Sequence, residues 1–262
     1  MKDTIIAWTD STWNPVFGCS KVSEGCRHCY AERIALKFGH SRKDWTAANA
    51  PENVQLKPDK LREPYRLKHL SRIFVNSMSD LFHELIPDDY TDRVFAVMCD
   101  LPQHTFQVLT KRPERMARYV DGWLRRTGYE IVPAHIWLGT STEDQKNFDK
   151  RLPHLLATKA TIRFISAEPL IGAIDMAGRL NGVHWVIAGG ESGPGFRPMP
   201  HEWPRAIRDA CRAQGVAFFF KQSAAFVTER GTYLTEEDGS KMEYKEYPAV
   251  PAKPGLTQTA FI

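Results

Sequence analysis

The chain has 262 residues, a formal net charge of +4 and a hydrophobic share of 42%. That length holds one large α/β domain or two small ones, and the mild basicity permits a polyanionic partner without requiring one. Five cysteines, odd in number and unevenly placed, make no disulfide framework; no stretch approaches the apolar length of a membrane span, and Met1-Lys2-Asp3-Thr4 opens no signal peptide, so a cytoplasmic protein is expected.

The first expected strand, Trp13–Phe17, leads into the run Gly18-Cys19-Ser20-Lys21-Val22-Ser23-Glu24-Gly25-Cys26-Arg27-His28-Cys29-Tyr30. Three thiolates suffice to hold three irons of a [4Fe–4S] cluster and leave the fourth iron open to a ligand. A structural zinc or a closed cluster takes four protein ligands. Cys26 and Cys29 form a C-x2-C pair, and Cys19 completes C-x6-C-x2-C, with Cys99 and Cys211 far away in helix-like segments. A zinc loop, with His28 or a distant donor as fourth ligand, is the alternative for the same residues. Residues 42–56, with Trp45, Pro51 and Asn53, read as an insertion before the second strand.

Short β-rich runs then recur at Ile73–Asn76, Phe106–Leu109, Ile136–Gly139, Ile162–Ile165, His184–Ile187 and Val216–Phe219, starting roughly 20 to 35 residues apart. Helices are expected between them over Thr91–Asp100, Pro113–Tyr119, Gln145–Leu156 and Trp203–Gln214. Apolar, β-branched runs of this length suit strands buried on both faces of a parallel sheet. The expected fold is α/β, a partial or complete TIM-type (β/α)6-7 barrel over residues 1–225 with the cysteine loop after its first strand. A doubly wound open sheet is the alternative. Residues 226–262, rich in charge and turns from Thr228 onward, read as a C-terminal appendage that covers the barrel base or mouth.

In a barrel, active residues gather where strands end. Polar residues follow nearly every expected strand: Asn76-Ser77-Met78-Ser79-Asp80, Thr110-Lys111-Arg112, Ser141-Thr142-Glu143-Asp144, Ser166-Ala167-Glu168, Gly190-Glu191-Ser192 and Lys221-Gln222-Ser223. Plainer roles exist for some of them. Ser141, Thr142 and Asp144 suit caps for the helix starting near Gln145, and Asp80 suits a cap of a helical turn. His83 and Glu84, with no second histidine one turn on, read as a helix surface. Glu168, after a buried strand, needs a partner.

The block Trp13-Asn14-Pro15-Val16-Phe17-Gly18-Cys19, the block Cys26-Arg27-His28-Cys29-Tyr30-Ala31 and the later blocks Phe74–Phe82, Leu109–Pro113 and Gly189–Gly193 carry a family likeness. Together they resemble a phage- and prokaryote-associated family of radical S-adenosylmethionine-like proteins, similar in outline to spore photoproduct lyase, a DNA-repair enzyme. The resemblance runs from about Trp8 to Gln222. It implies a [4Fe–4S] cluster on Cys19, Cys26 and Cys29, S-adenosyl-L-methionine as second cofactor, and an electron donor as partner. The implied reaction is reductive cleavage of S-adenosylmethionine to methionine and a 5′-deoxyadenosyl radical, which takes hydrogen from a substrate.

Two departures from that superfamily change the expected site. Its usual C-x3-C-x2-C is C-x6-C-x2-C here, and its Gly-Gly-Glu after the second strand is replaced by Asn76-Ser77-Met78-Ser79-Asp80. Asn76, Ser77, Ser79 and Asp80 are therefore expected to accept the methionyl amino group, and Ser141 and Glu143 to hold the ribose hydroxyls. Gly189-Gly190-Glu191 follows the sixth strand and is not given the amino-binding role.

For the substrate, Lys111, Arg112, Arg197 and Lys221 supply cations at the expected mouth, beside Glu168 and Glu191. Trp13, Phe17, Tyr30 and Phe196 offer stacking faces. These residues point to a nucleic-acid or nucleotide substrate. Pairing of Lys111 and Arg112 with Glu168 and Glu191, to shape the pocket, accounts for the same charges differently. The alternative function is a non-catalytic zinc- or cluster-stabilised binding protein of phage or prokaryotic origin, acting with a protein partner.

Overall fold

The computed structural model describes residues 2–227 and 232–251. β1 (Lys2–Asp3) pairs antiparallel with β2 (Ser11–Trp13), while β3 (Val16–Phe17) and β4 (Gln55–Leu56) form a separate antiparallel ribbon. β2 then pairs in parallel with β5 (Arg72–Val75), followed in order by β6 (Thr105–Thr110), β7 (Val132–Ser141), β8 (Ala160–Ala167), β9 (Trp185–Gly189) and β10 (Ala217–Gln222). Spatial order repeats chain order without a reversal. A doubly wound sheet changes direction at a switch point; this sheet curls instead into a parallel seven-strand half-barrel, an α/β fold compatible with a partial TIM-type barrel. Among the described residues no ladder joins β10 back to β1 or β2, so the barrel is not closed.

Helices α1 (Tyr30–Lys37), α2 (Ala50–Asn53), α3 (Asp88–Asp100), α4 (Pro113–Thr127), α5 (Gln145–Ala157) and α6 (Glu202–Ala213) run between strands. The local logic is clearest in α4. Pro113 starts it, where a missing N–H costs nothing, and Met116, Tyr119, Val120, Trp123 and Leu124 make one buried stripe. The β8–β9 crossover contains no α-helix; buried Ile174, Met176, Leu180 and Val183 pack into the core there.

Alternation along the strands separates two cores. Ile73, Val75, Phe106, Val108, Ile136, Leu138, Phe218 and Phe220 belong to the large cluster that includes the helices. Phe74, Trp137, Phe164, Trp185, Ile187 and Phe219, with Trp8, form a second, largely aromatic cluster on the other, inner face. Gly139 makes room for it: a Cβ there would stand 2.5 Å from the Phe164 ring. Gly139→Ala is expected to cost about 1–3 kcal/mol in urea denaturation, because the fully buried Phe164 ring must shift to admit the methyl group.

One sequence expectation is corrected. Trp13–Phe17 is not one strand: it breaks at Asn14-Pro15, since proline cannot donate to a ladder, and Trp13 is fully buried in the helix-side core with Nε1 donating to the Lys60 carbonyl (2.8 Å). It offers no stacking face at the mouth. Residues 42–56, read as an insertion, are fastened to the cysteine loop and α1: Lys21 N–H donates to the Trp45 carbonyl (3.0 Å), and the buried Glu32 carboxylate accepts from Trp45 N–H (2.7 Å). Within the C-terminal appendage, residues 244–247 run along the edge of β10. Phe220 N–H donates to the Tyr244 carbonyl (2.8 Å) and Glu246 N–H to Phe218 (3.1 Å), which covers the open edge of β10. Tyr247 packs on Trp185 and Phe219 and lies 4.1 Å under the Arg72 guanidinium, filling the base where strands begin. Glu229, Arg230, Gly231, Pro254, Phe261 and Ile262 lie outside the described residues. Among the described residues no helix is long and apolar enough to cross a membrane.

Candidate functional site

Loops following the parallel strands surround one cavity of about 610 Å³ at the strands' C-terminal ends. Period-two alternation sets its layers. Inward-facing Phe74, Leu109, Phe164 and Phe219 are followed two residues on by Asn76, Lys111, Ser166 and Lys221, so an apolar layer gives way to a polar one. Ser141 and Glu168 complete the polar layer, and Cys19, Cys26 and Cys29 line the same cavity.

The cysteine loop is held by backbone contacts. Gly18 takes φ +82°, and a Cβ on it would run into the Asn53 carbonyl oxygen, so only glycine fits between β3 and α2. Its N–H donates to the Met78 carbonyl (3.0 Å), stitching the loop to the segment after β5. A 3-10 turn over Glu24–Cys26 follows, and Cys29 is the N-cap of α1. Burial, reinforced by Asp80, pushes the Cys19 thiol up to about 12, and burial raises Cys29 as well. All three are free thiols here, and among the described residues no three His, Cys, Asp or Glu side chains are grouped around one metal position.

Asn76 is buried and adopts φ 61°, a conformation that a non-glycine residue holds only when its surroundings enforce it. Its Oδ1 accepts from Val16 N–H (3.4 Å), while Nδ2 has no partner among the described residues. Ser77 Oγ exchanges hydrogen bonds with the Asn14 amide (3.2 Å each), and its carbonyl accepts from the Tyr30 hydroxyl (2.9 Å). Ser79 Oγ donates to the Val16 carbonyl (2.9 Å).

Asp80 is saturated. Oδ1 accepts from Phe82 N–H (3.0 Å) and Thr110 Oγ (2.7 Å), and Oδ2 from Lys111 N–H (3.0 Å) and Arg112 Nη1 (3.2 Å). It ties the loops after β5 and β6 together and offers no open lone pair to a ligand amine, contrary to the sequence expectation. Glu143 is likewise committed: fully buried, it pairs with Arg151 Nη1 at 2.7 Å and does not line the cavity, so it holds no ribose there. Ser141 does line it. The cap of α5 is Asp144, which accepts from Asn147 N–H (2.8 Å).

The expected substrate cations are mostly neutralised. Lys221 Nζ lies 2.7 Å from Glu168, and Arg197 pairs with Glu191. Although burial works against it, Arg197 and His28 hold the Glu191 carboxyl below its ordinary value. Arg197 also donates to the Glu24 carbonyl (3.0 Å), so the loop after β9 braces the cysteine loop. Arg112 is buried rather than presented to a ligand, its guanidinium engaged by Glu84 (2.9 Å), Asp80 and Ser20. Lys111 alone of the four forms no ion pair among the described residues.

His83, expected on a helix surface, is buried in a segment that is not helical. Its Nδ1 accepts from Leu85 N–H (3.2 Å), which leaves Nε2–H to donate to Ser20 Oγ (2.9 Å). Asn14, Ser20 and His83 were not expected at the site. Asn14 precedes a proline at a strand end, which is a turn signal, but Ser20 and His83 are joined only by the fold.

No curated protein and no solved structure matches the chain. A family model does, over residues 3–251. The chain therefore belongs to the family described as "Protein of unknown function (DUF5131)".

Proposed function

We propose that the protein is a radical S-adenosylmethionine iron–sulfur enzyme whose Cys19, Cys26 and Cys29 hold a [4Fe–4S] cluster. The observation that carries this reading is that three thiols from one loop line a single cavity at the C-terminal ends of parallel strands. The donor set suits iron: three soft, half-buried sulfurs from one loop, with no disulfide among them. His28 Nδ1 meets the Glu191 carboxylate at 3.2 Å, which orients the ring beside the cysteine loop.

Held by Cys19, Cys26 and Cys29, the cluster would supply, with one electron from an external electron donor, reductive cleavage of S-adenosylmethionine to methionine and a 5′-deoxyadenosyl radical. The chain's own residues bind and orient. The Lys111 ammonium attracts an anionic group, and Asn76 Nδ2 and the Ser141 hydroxyl offer neutral hydrogen bonds. Glu168 and Lys221 place an acceptor beside a donor, suited to the N–H and C=O edge of a nucleobase. Trp8, Phe74 and Leu109 give the cavity apolar lining that excludes water. With Arg112, Arg197 and Lys221 paired, the cavity's charge suits one anionic group, so a nucleotide unit fits better than a stretch of polyanion.

Anaerobic incubation with dithionite and S-adenosylmethionine tests the reading. Methionine and 5′-deoxyadenosine are expected in equal amounts by mass spectrometry, and a cluster-loaded protein that forms neither would overturn it. The commitment of Asp80 and Glu143 to internal bonds favours a second reading, a non-catalytic zinc- or cluster-stabilised binding protein. That protein would bind metal and cleave no S-adenosylmethionine.

A further inference from the structure

We infer that Arg112 is a positioning residue for Cys19, one that sets the reduction potential of the proposed cluster through a charged hydrogen bond to its sulfur. The inference rests on the cluster reading above. Arg112 Nη1 lies 3.6 Å from Cys19 Sγ, and among the described residues no other guanidinium bonds to a cysteine sulfur.

The guanidinium is fixed from every side. Nε donates to both oxygens of Glu84 (2.9 and 3.0 Å), Nη1 to Asp80 (3.2 Å), and Nη2 to the Ser20 carbonyl (3.2 Å) and hydroxyl (3.0 Å). His83 holds the same Ser20 hydroxyl from the other side at 2.9 Å. Ser20 follows Cys19 directly, so the network grips the first ligand of the long C-x6-C gap through its neighbour as well as through its sulfur.

The physical consequence has a sign. A guanidinium does not deprotonate in proteins, so a thiolate at Cys19 keeps its cationic donor at every working pH. Hydrogen bonds and positive charge at cluster sulfurs stabilise the reduced, more negative state and raise the potential. Asp80 opposes this from the far side of the same guanidinium, and Glu84, mostly exposed, draws charge from Nε. Removing Arg112 deletes the donor and leaves Asp80 beside Cys19 uncompensated, and both changes lower the potential. Removing the Glu84 charge frees more of the guanidinium's charge for Cys19 and raises it.

The test is an EPR-monitored redox titration of anaerobically reconstituted wild type, Arg112→Gln and Glu84→Gln. The midpoint is expected to move negative in Arg112→Gln and positive in Glu84→Gln. Opposite signs from two members of one network are not produced by a merely structural role. If Arg112→Gln fails to fold, Glu84→Gln, an exposed substitution, decides alone: a positive shift supports the inference and an unmoved midpoint overturns it. A wild type that takes up no iron and sulfide removes the cluster reading and this inference together. Full clusters with unmoved midpoints remove only this inference.

Discussion

Cys26→Ala is expected to abolish cluster assembly, reducing iron after anaerobic reconstitution from about four per chain to the level of adventitious binding. In the proposed cluster each thiolate would anchor one iron, and two anchors would leave half of it held by small ligands alone. No substitute is at hand: Cys99 belongs to α3, Cys211 is buried in α6, and neither lines the cavity. Of the three proposed ligands, Cys26 is the one whose loss is expected to disturb the fold least. It is half-buried in a short 3-10 turn, and its sulfur has only a long contact to Ser23 Oγ at 3.9 Å. Iron and sulfide assays beside a thermal melt separate loss of the cluster from loss of the fold. An Ala variant that kept its full iron would contradict the assignment.

Arg151→Met is expected to lower stability by about 3–5 kcal/mol in urea denaturation, the usual cost of stranding one partner of a buried ion pair. Glu143 is fully buried and Arg151 nearly so, with Nη1 2.7 Å from the carboxylate and 2.8 Å from the Ser141 carbonyl. The substitution therefore leaves a bare carboxylate and a freed carbonyl directly under the polar layer of the cavity. Adding Glu143→Gln should recover a large part of the loss, because a neutral amide tolerates burial better than an unpaired charge. A single-variant loss below about 1 kcal/mol would show that water reaches the pair.

The strands from β5 to β10 were legible because each is a short β-branched or aromatic run buried on both faces, and such runs survive in the sequence whatever the fold does around them. What was lost was edges and polar context. α1 went unread because Glu32, Arg33 and Lys37 interrupt it, and its buried face is small, carried by Ala31, Glu32 and Ala35. β7 begins four residues before the apolar run Ile136–Gly139, since Pro133 and His135 hide its start. The edge segment Tyr244–Tyr247 interleaves Lys245 and Glu246 with its tyrosines and has no apolar run, so it reads as tail.

In the site, the cysteines stood out by type and spacing, and the strand-end rule brought Asn76, Lys111, Ser141, Glu168 and Lys221 to one cavity. The rule could not say which polar groups were already spent. Asp80 and Arg112 meet across two loops, and Glu143 finds Arg151 eight residues on in α5. Partners that distant leave no mark in local pattern.

The central claim is an open-iron cluster on three cysteines, and metal analysis of the anaerobically reconstituted protein tests it most directly when joined to EPR of the reduced state with and without S-adenosylmethionine. About four irons and four sulfides per chain, with a signal changed by S-adenosylmethionine, are expected. About one zinc per chain with no iron-dependent signal would contradict the claim and give the cysteines a structural role.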